Sequence, residues 1–207
     1  MTLETSKILG GVGSLLMVLT PFFGTYTAVL GLVGLILVMV AFKGLADHYG
    51  EKGIFNNALY GVILAIVGIA VSIAIIVITA IDFLSALGID LSTLWSDPTV
   101  LSNINWEELM TLDAIWPYIA AILGSFVLLF VFVVVASIFL RKSLNMVSEK
   151  TGVGLFGTTG LLILIGAVLT IIGIGLILLW IALILLTISF FSIKTQAAQQ
   201  PTTPSVN

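Results

Sequence analysis

The chain has no cysteine, a single histidine, and charge on only 8% of its residues. Without cysteine there is no disulfide, no thiolate nucleophile and no cysteine metal ligand, and the redox compartment leaves no signature. One histidine cannot build a multi-histidine metal site. A Walker loop, a nucleophile elbow and an HExxH pair are also missing, so the short motifs of phosphate, acyl and zinc chemistry are not there. The scarcity of charge has the widest consequence. Soluble domains carry about a quarter charged residues. Here seven basic and ten acidic residues serve 207 positions, of which 60% are hydrophobic. Such a chain cannot cover a globule with polar surface, so the bilayer is its expected solvent. The mean hydropathy of +1.29 agrees.

What is present is organised as long apolar runs. Residues 8–42, 54–81, 114–140 and 151–193 carry no charge. As single helices the first and last would be roughly 52 and 64 Å long, against an apolar bilayer thickness of about 30 Å. Tilt cannot absorb a factor near two. Each is therefore read as two helices and a tight turn, at Pro21-Phe-Phe-Gly24 and at Gly173-Ile-Gly175. The expectation is an all-α membrane protein with six transmembrane helices, near 5–20, 26–43, 57–81, 114–140, 154–172 and 176–193. They form a single domain over 1–194, followed by a proline-punctuated tail, 195–207, with the composition of disorder. Ile8–Leu19 could pass for a signal-peptide core, but Glu4 spoils the basic flank and no small-x-small site precedes Pro21, so a retained helix is expected.

Charge placement orients these helices. Lys7, Lys43, Lys52, Arg141, Lys142, Lys150 and Lys194 all fall on one side if there are six spans, and that side is cytoplasmic, with both termini. Asp82, Asp90, Asp97, Glu107, Glu108 and Asp113 fall in or beside the outside loop, 82–113. A re-entrant first hairpin would satisfy the same charges, and Ile8–Thr20 is only about 20 Å as a helix. Two short spans are the expectation, with the re-entrant hairpin as its alternative.

Between the runs, the outside loop is patterned for short interfacial helices. Asp97-Pro98 has the form of a helix start and Asn105-Trp-Glu-Glu108 that of a capping box; Asp113 is placed to cap the next helix. Trp95, Trp106 and Trp116 suit a membrane interface. Arg141 to Gly152 reads as a short basic cytoplasmic loop. In the third predicted helix Ala58, Gly61, Ala65, Gly68, Ser72 and Thr79 form a narrow stripe of small side chains, a helix-packing face. Its expected use is internal, with a ligand path or a homodimer seam as alternatives. Leu35–Phe42 resembles Leu183–Phe190, each closing a hairpin and each followed shortly by lysine. A duplication would be parallel, and no function follows from it.

Ionisable residues at bilayer depth mark proton relays, voltage sensors and coupling sites. None lies inside the predicted spans away from their ends, which disfavours ion-coupled transport. Ser72, Thr79, Ser125, Ser137 and Thr170 can each bond back to their own helix. The polar island 43–57 remains, with Lys43, Asp47, His48, Glu51, Asn56 and Asn57 as a candidate cytoplasmic docking loop. If the second helix continues past the membrane surface, Lys43–Asp47 and Asp47–Glu51 are i,i+4 pairs, and His48 with Glu51 could offer a cation one face. The plainer reading is a solvated connector closed by Gly50 or Gly53, with Asn56 or Asn57 capping the third helix.

Thr2-Leu-Glu-Thr-Ser-Lys7 leading into Leu9-Gly-Gly-Val-Gly13 resembles the start of a mainly archaeal membrane family catalogued as domain of unknown function nine-nine-six. Lys43–Tyr49 and Gly53–Gly61 resemble its recurring loop, and Gly160–Lys194 its closing hairpin. The resemblance covers roughly 2–194 in pattern and implies an integral protein of a prokaryotic cell membrane; it transfers no activity or site. His48 stands where the family implies tyrosine or another aromatic, which counts against a histidine-dependent reaction.

The expected function is a non-enzymatic scaffold or accessory subunit acting through membrane partners, or through a second copy. A passive channel or small-solute transporter is the alternative, and a lipid-acting enzyme using Asp47, His48 and Glu51 the remote one. No cofactor and no metal is implied, and nucleic acid is not an expected partner.

Overall fold

A computed structural model describes residues 1–89, 91–97, 99 and 111–194. All regular structure among them is helical, and five helices are long and apolar enough to cross a membrane. Helix α1, Leu3–Leu19, starts where the Thr2 hydroxyl accepts from the Thr5 N–H at 3.1 Å. It ends in a 3-10 turn, Thr20–Phe22, where Pro21 forbids a continuing α-helical bond. Gly24, at φ +52°, reverses the chain into a second 3-10 turn, Gly24–Tyr26, and α2 follows over Thr27–Tyr49. Gly50 closes α2 at φ +66°, and the Glu51 N–H returns to the Ala46 carbonyl at 2.9 Å, the Schellman arrangement that only a left-handed residue permits cheaply.

Helix α3, Lys52–Ala86, begins two residues later and closes the same way at Gly88 (φ +72°), the Ile89 N–H meeting the Leu84 carbonyl at 3.0 Å. A short α4, Leu91–Ser96, precedes the 40-residue α5, Leu112–Thr151. Helix α6, Leu155–Leu169, passes through the 3-10 turn Thr170–Ile172 and Gly173 (φ +81°) to α7, Gly175–Phe191.

These bounds correct several expectations. Helix α2 runs on to Tyr49 and not 43, α3 starts at Lys52 and not 57, and α5 continues through Arg141 and Lys142 to Thr151. The basic connector expected over 141–152 is therefore mostly helix. A charge ends an apolar run but does not end a helix; α2, α3 and α5 each stop at or just before a glycine in the left-handed region. Asn56 and Asn57 accordingly lie inside α3 and cap nothing: Asn57 donates Nδ2 to the Gly53 carbonyl one turn back at 2.7 Å. Asp113 sits in the first turn of α5, where its charge still suits the helix N-terminus, while the Ala114 N–H closes on the Thr111 carbonyl at 3.0 Å. The capping box at Asn105–Glu108, with Trp106, and the tail 195–207 lie outside the described residues.

The contacts divide the chain, expected to be one domain, into two compact units. The first joins Met1–Gly61 with the chain from Ser137 onward. It contains two tight hairpins, α1/α2 and α6/α7. Within each, glycines let backbones touch: a Cβ on Gly13 would lie 2.7 Å from the Gly34 carbonyl, and one on Gly175 would overlap the Gly166 carbonyl. Helices α1 and α7 run antiparallel, tied near one end by Lys7 Nζ donating to the Ile193 carbonyl at 2.8 Å. Toward the other end Trp180 Nε1 donates to the Val18 carbonyl at 3.0 Å. The two similar octets meet, Phe42 packing edge-to-face on Phe190 at 5.7 Å between centroids, with Phe156 on the other side at 5.2 Å. Around them lies the core, including Leu45, Ile54, Leu144 and Val147.

The second unit, Val62–Ala136, pairs a stretch of α3 with one of α5. Phe132 lies directly on Gly68, Ser72 Oγ donates to the Ser125 carbonyl at 3.2 Å, and Phe83 packs edge-to-face on Tyr118 at 5.1 Å. Most other side chains on both helices face outward and are apolar.

Candidate functional site

The polar island is built as a helical corner. Lys43 and Asp47 lie one turn apart on α2 and pair at 2.8 Å, with Lys43 Nζ also 5.6 Å from the Phe55 ring centre. Both side chains are more than half exposed, so solvent screens the pair. Asp47→Ala is expected to change stability by about 0.5 kcal/mol or less, readable as an unchanged thermal midpoint in detergent. His48 is exposed and its ring lies edge-on to that of its neighbour Tyr49, at 4.9 Å between centroids. Glu51 lies beyond the left-handed Gly50, which breaks the helical register that would have set it beside Asp47 and His48. It instead faces Lys150 from the end of α5, 3.6 Å away. The expected Asp47–His48–Glu51 face therefore does not assemble, and among the described residues no three His, Cys, Asp or Glu side chains could hold a metal ion. Asn56 is exposed and Asn57 buried, its amide also 3.8 Å from Met146 Sδ.

Sequence reasoning missed what lies beneath. Leu45, Ala46, Ile54 and Ala58 form the buried side of the island, packed with Leu144 and Val147 of α5. Ser143 Oγ donates to the Ile54 carbonyl at 2.6 Å, tying α5 to the first turn of α3. The spacing of Phe42, Leu45, Ala46 and Tyr49, and of Leu144 and Val147, at three and four residues was the available signal. This end of the first unit also collects the basic residues. Lys7 reaches Ile193, next to Lys194; Lys150 reaches Glu51, next to Lys52; and Arg141 backs onto Gly160.

The small-residue stripe is mostly inside. In the first unit Ala58 and Gly61 are buried; in the second Gly68, Ser72 and Thr79 are buried and Ala65 is half-buried. Apart from the corner, Asp97 forms a small turn: the Thr99 hydroxyl at 2.6 Å and the Thr99 N–H at 3.0 Å both donate to Oδ1 and hold its carboxyl below the usual carboxylate range. Trp95 and Trp116 are both exposed.

Residues 30–184, from early α2 through both long helices into α7, match the family described as "Protein of unknown function (DUF996)". The chain belongs to the DUF996 family. It is also similar to the "Uncharacterized protein MJ1644" of Methanocaldococcus jannaschii, 28% identical over 193 residues, covering 93% of this chain and 94% of that protein. No solved structure matches the chain. The DUF996 match takes in the whole helical corner and both long helices, and leaves α1 outside it.

Proposed function

We propose that this DUF996 protein is a multi-pass protein of the cell membrane, with both termini and the basic end of its first unit in the cytoplasm. There it acts without catalysis, as a scaffold or accessory subunit for membrane partners. One observation carries this reading: at the charged end, where chemistry would have to occur, several polar groups pair with one another or with backbone carbonyls and do not converge on a common site. Asp47 pairs with Lys43, Glu51 faces Lys150, Lys7 closes the end of α7 and Ser143 closes on α3. The buried core lies at that same end. Apolar burial drives folding only against water, since lipid chains are as apolar as leucine, so a core sited there fits a water-facing end and supports the orientation. The cytoplasmic placement itself rests on the basic residues. It holds whether six helices cross completely or the hairpins turn back within the bilayer.

The channel reading gains no support from the second unit, where Phe132 covers Gly68 and Ser72 bonds across to α5. Purification from native membranes in gentle detergent, followed by mass spectrometry, tests the proposal. A stoichiometric membrane-protein partner or a stable self-assembly is expected. A lone monomer, with no partner after mild cross-linking in the membrane, would remove the scaffold reading.

A further inference from the structure

We infer that both hairpins are re-entrant: α1/α2 and α6/α7 enter from the basic face and turn back inside the hydrocarbon, so only α3 and α5 cross completely. This rests on the membrane reading above, and three observations carry it.

The first is length. The charge-free arms of the first hairpin, between Lys7 and Thr20 and between Thr27 and Lys43, are about 20 and 24 Å as helices. By total length and composition, however, both arms, like α6 with its 3-10 turn, count among the five helices that could cross. Helices α6 and α7, at 15 and 17 residues, measure about 22 and 26 Å. Reaching the far water requires about 30 Å of hydrocarbon and more for the headgroups. By contrast the charge-free parts of α3 and α5, residues 54–81 and 114–140, measure about 42 and 40 Å.

The second is the chemistry of the turns. A loop in water is normally polar. Here no charge occurs from 8 to 42 or from 151 to 193, and the turns expose Phe22 (71%), Ile171 (70%) and Ile172 (61%). At the other end of the long helices, Asp82, Asp97 and Asp113 mark where the chain meets water.

The third observation is how the turns satisfy their backbone. In water, a turn can leave carbonyls to solvent; in hydrocarbon each must find a donor within the protein. These turns supply donors from side chains. Thr20 Oγ1 donates to the Met17 carbonyl at 2.7 Å, and Trp180 Nε1 covers the Val18 carbonyl at 3.0 Å. Thr27 Oγ1 lies 2.9 and 2.6 Å from the Thr20 and Gly24 carbonyls and shares its one proton between them. In the second hairpin, Thr170 Oγ1 donates to the Ala167 carbonyl at 2.6 Å and the Gly173 N–H closes on the Thr170 carbonyl at 3.0 Å. Pro21 brings no N–H to satisfy. The first turn also exposes Thr25 and Tyr26, neither of which carries a charge.

The basic residues do not distinguish this arrangement from six crossings, because a re-entrant hairpin returns to the side it left. Cysteine labelling does, since the native chain has none. The thiolate adds to the maleimide double bond and forms only where water can solvate its charge, so a thiol held in hydrocarbon stays unreactive. Two double variants, Asp97→Cys/Thr25→Cys and Asp97→Cys/Ile172→Cys, place one thiol on the outside loop and one on a turn, all at exposed positions. Treated with an impermeant maleimide, in intact cells and in opened membranes, each is expected to gain one label by intact mass, and a second only after denaturation in SDS. The turn thiol should react at least about tenfold more slowly than Cys at 97. Two labels in intact cells mean the hairpin crosses and overturn the inference. A second label appearing only in opened membranes puts the turn in cytoplasmic water and overturns it equally. No label in intact cells defeats the orientation on which both readings stand, while one label shows that the chain is inserted as proposed.

Discussion

Gly13→Val is expected to destabilise the protein by about 3 kcal/mol, the upper part of the range for overpacking a tight interface. It should lower the thermal midpoint in mild detergent more than any change at the neighbouring exposed positions. At Gly13 a Cβ would lie 2.7 Å from the Gly34 carbonyl and 2.9 Å from the Val38 N, and backbone atoms of a facing helix cannot rotate away. In lipid the loss is compounded, because close backbone packing is itself the main attraction between helices once apolar burial drops out. Gly31→Ala is the control. Its Cβ would meet only the Thr20 Cγ2 at 3.4 Å, an ordinary contact, and alanine is the better helix former by roughly 0.5–1 kcal/mol. Equal midpoints for Gly13→Val and the parent protein would show that α1 and α2 do not pack as described.

Phe190→Ala should cost about 3–5 kcal/mol, the cost of emptying a filled aromatic site. Phe190 is fully buried, stacks edge-on with both Phe42 and Phe156, and lies over Gly10 of α1. It lies in the core, at the end where burial against water has a driving force. Gly10 sharpens the test. A Cβ there overlaps the Phe190 ring, so Gly10→Ala alone should destabilise by about 1–3 kcal/mol. With Phe190→Ala the same methyl group enters the vacated space, and the double variant should be more stable than the sum of the two changes by at least about 0.5 kcal/mol. Strict additivity, read from unfolding midpoints of all four proteins, would mean the two residues are not in contact.

Both predictions turn on glycine and phenylalanine contacts more than 20 or 170 residues apart in sequence, and neither contact was legible there. What could be read was of a different kind. The apolar runs, the breaks at Pro21 and Gly173, and the small-residue stripe on α3 were visible because each is a local statement about helix, breaker or face. The faint octet similarity had a physical counterpart in the Phe42–Phe190 stack, although similarity alone could not say that the octets touch. Helix ends were misread where charge was taken for punctuation, at Lys43 and Arg141, and where asparagine was taken for a cap, at Asn57, because all three residue types sit comfortably in a helix once one of its faces is buried. The candidate site was misread for a related reason. Asp47, His48 and Glu51 share a helical face only if the helix continues, and a single left-handed glycine turns Glu51 toward Lys150.

The sequence by itself determined the helical class, the bilayer as expected solvent, and the separation of charges from the long apolar runs, since composition and the order of charges already contain them. Only the tertiary structure decided where the helices stop, which polar groups are spent on one another, and that the core lies at the charged end. Those depend on partners distant in the chain: a carbonyl at Ile193 for Lys7, one at Val18 for Trp180, one at Ile54 for Ser143. A hydrogen bond or a glycine contact exists only when both partners are in place, and nothing in either residue's neighbourhood along the chain names the other.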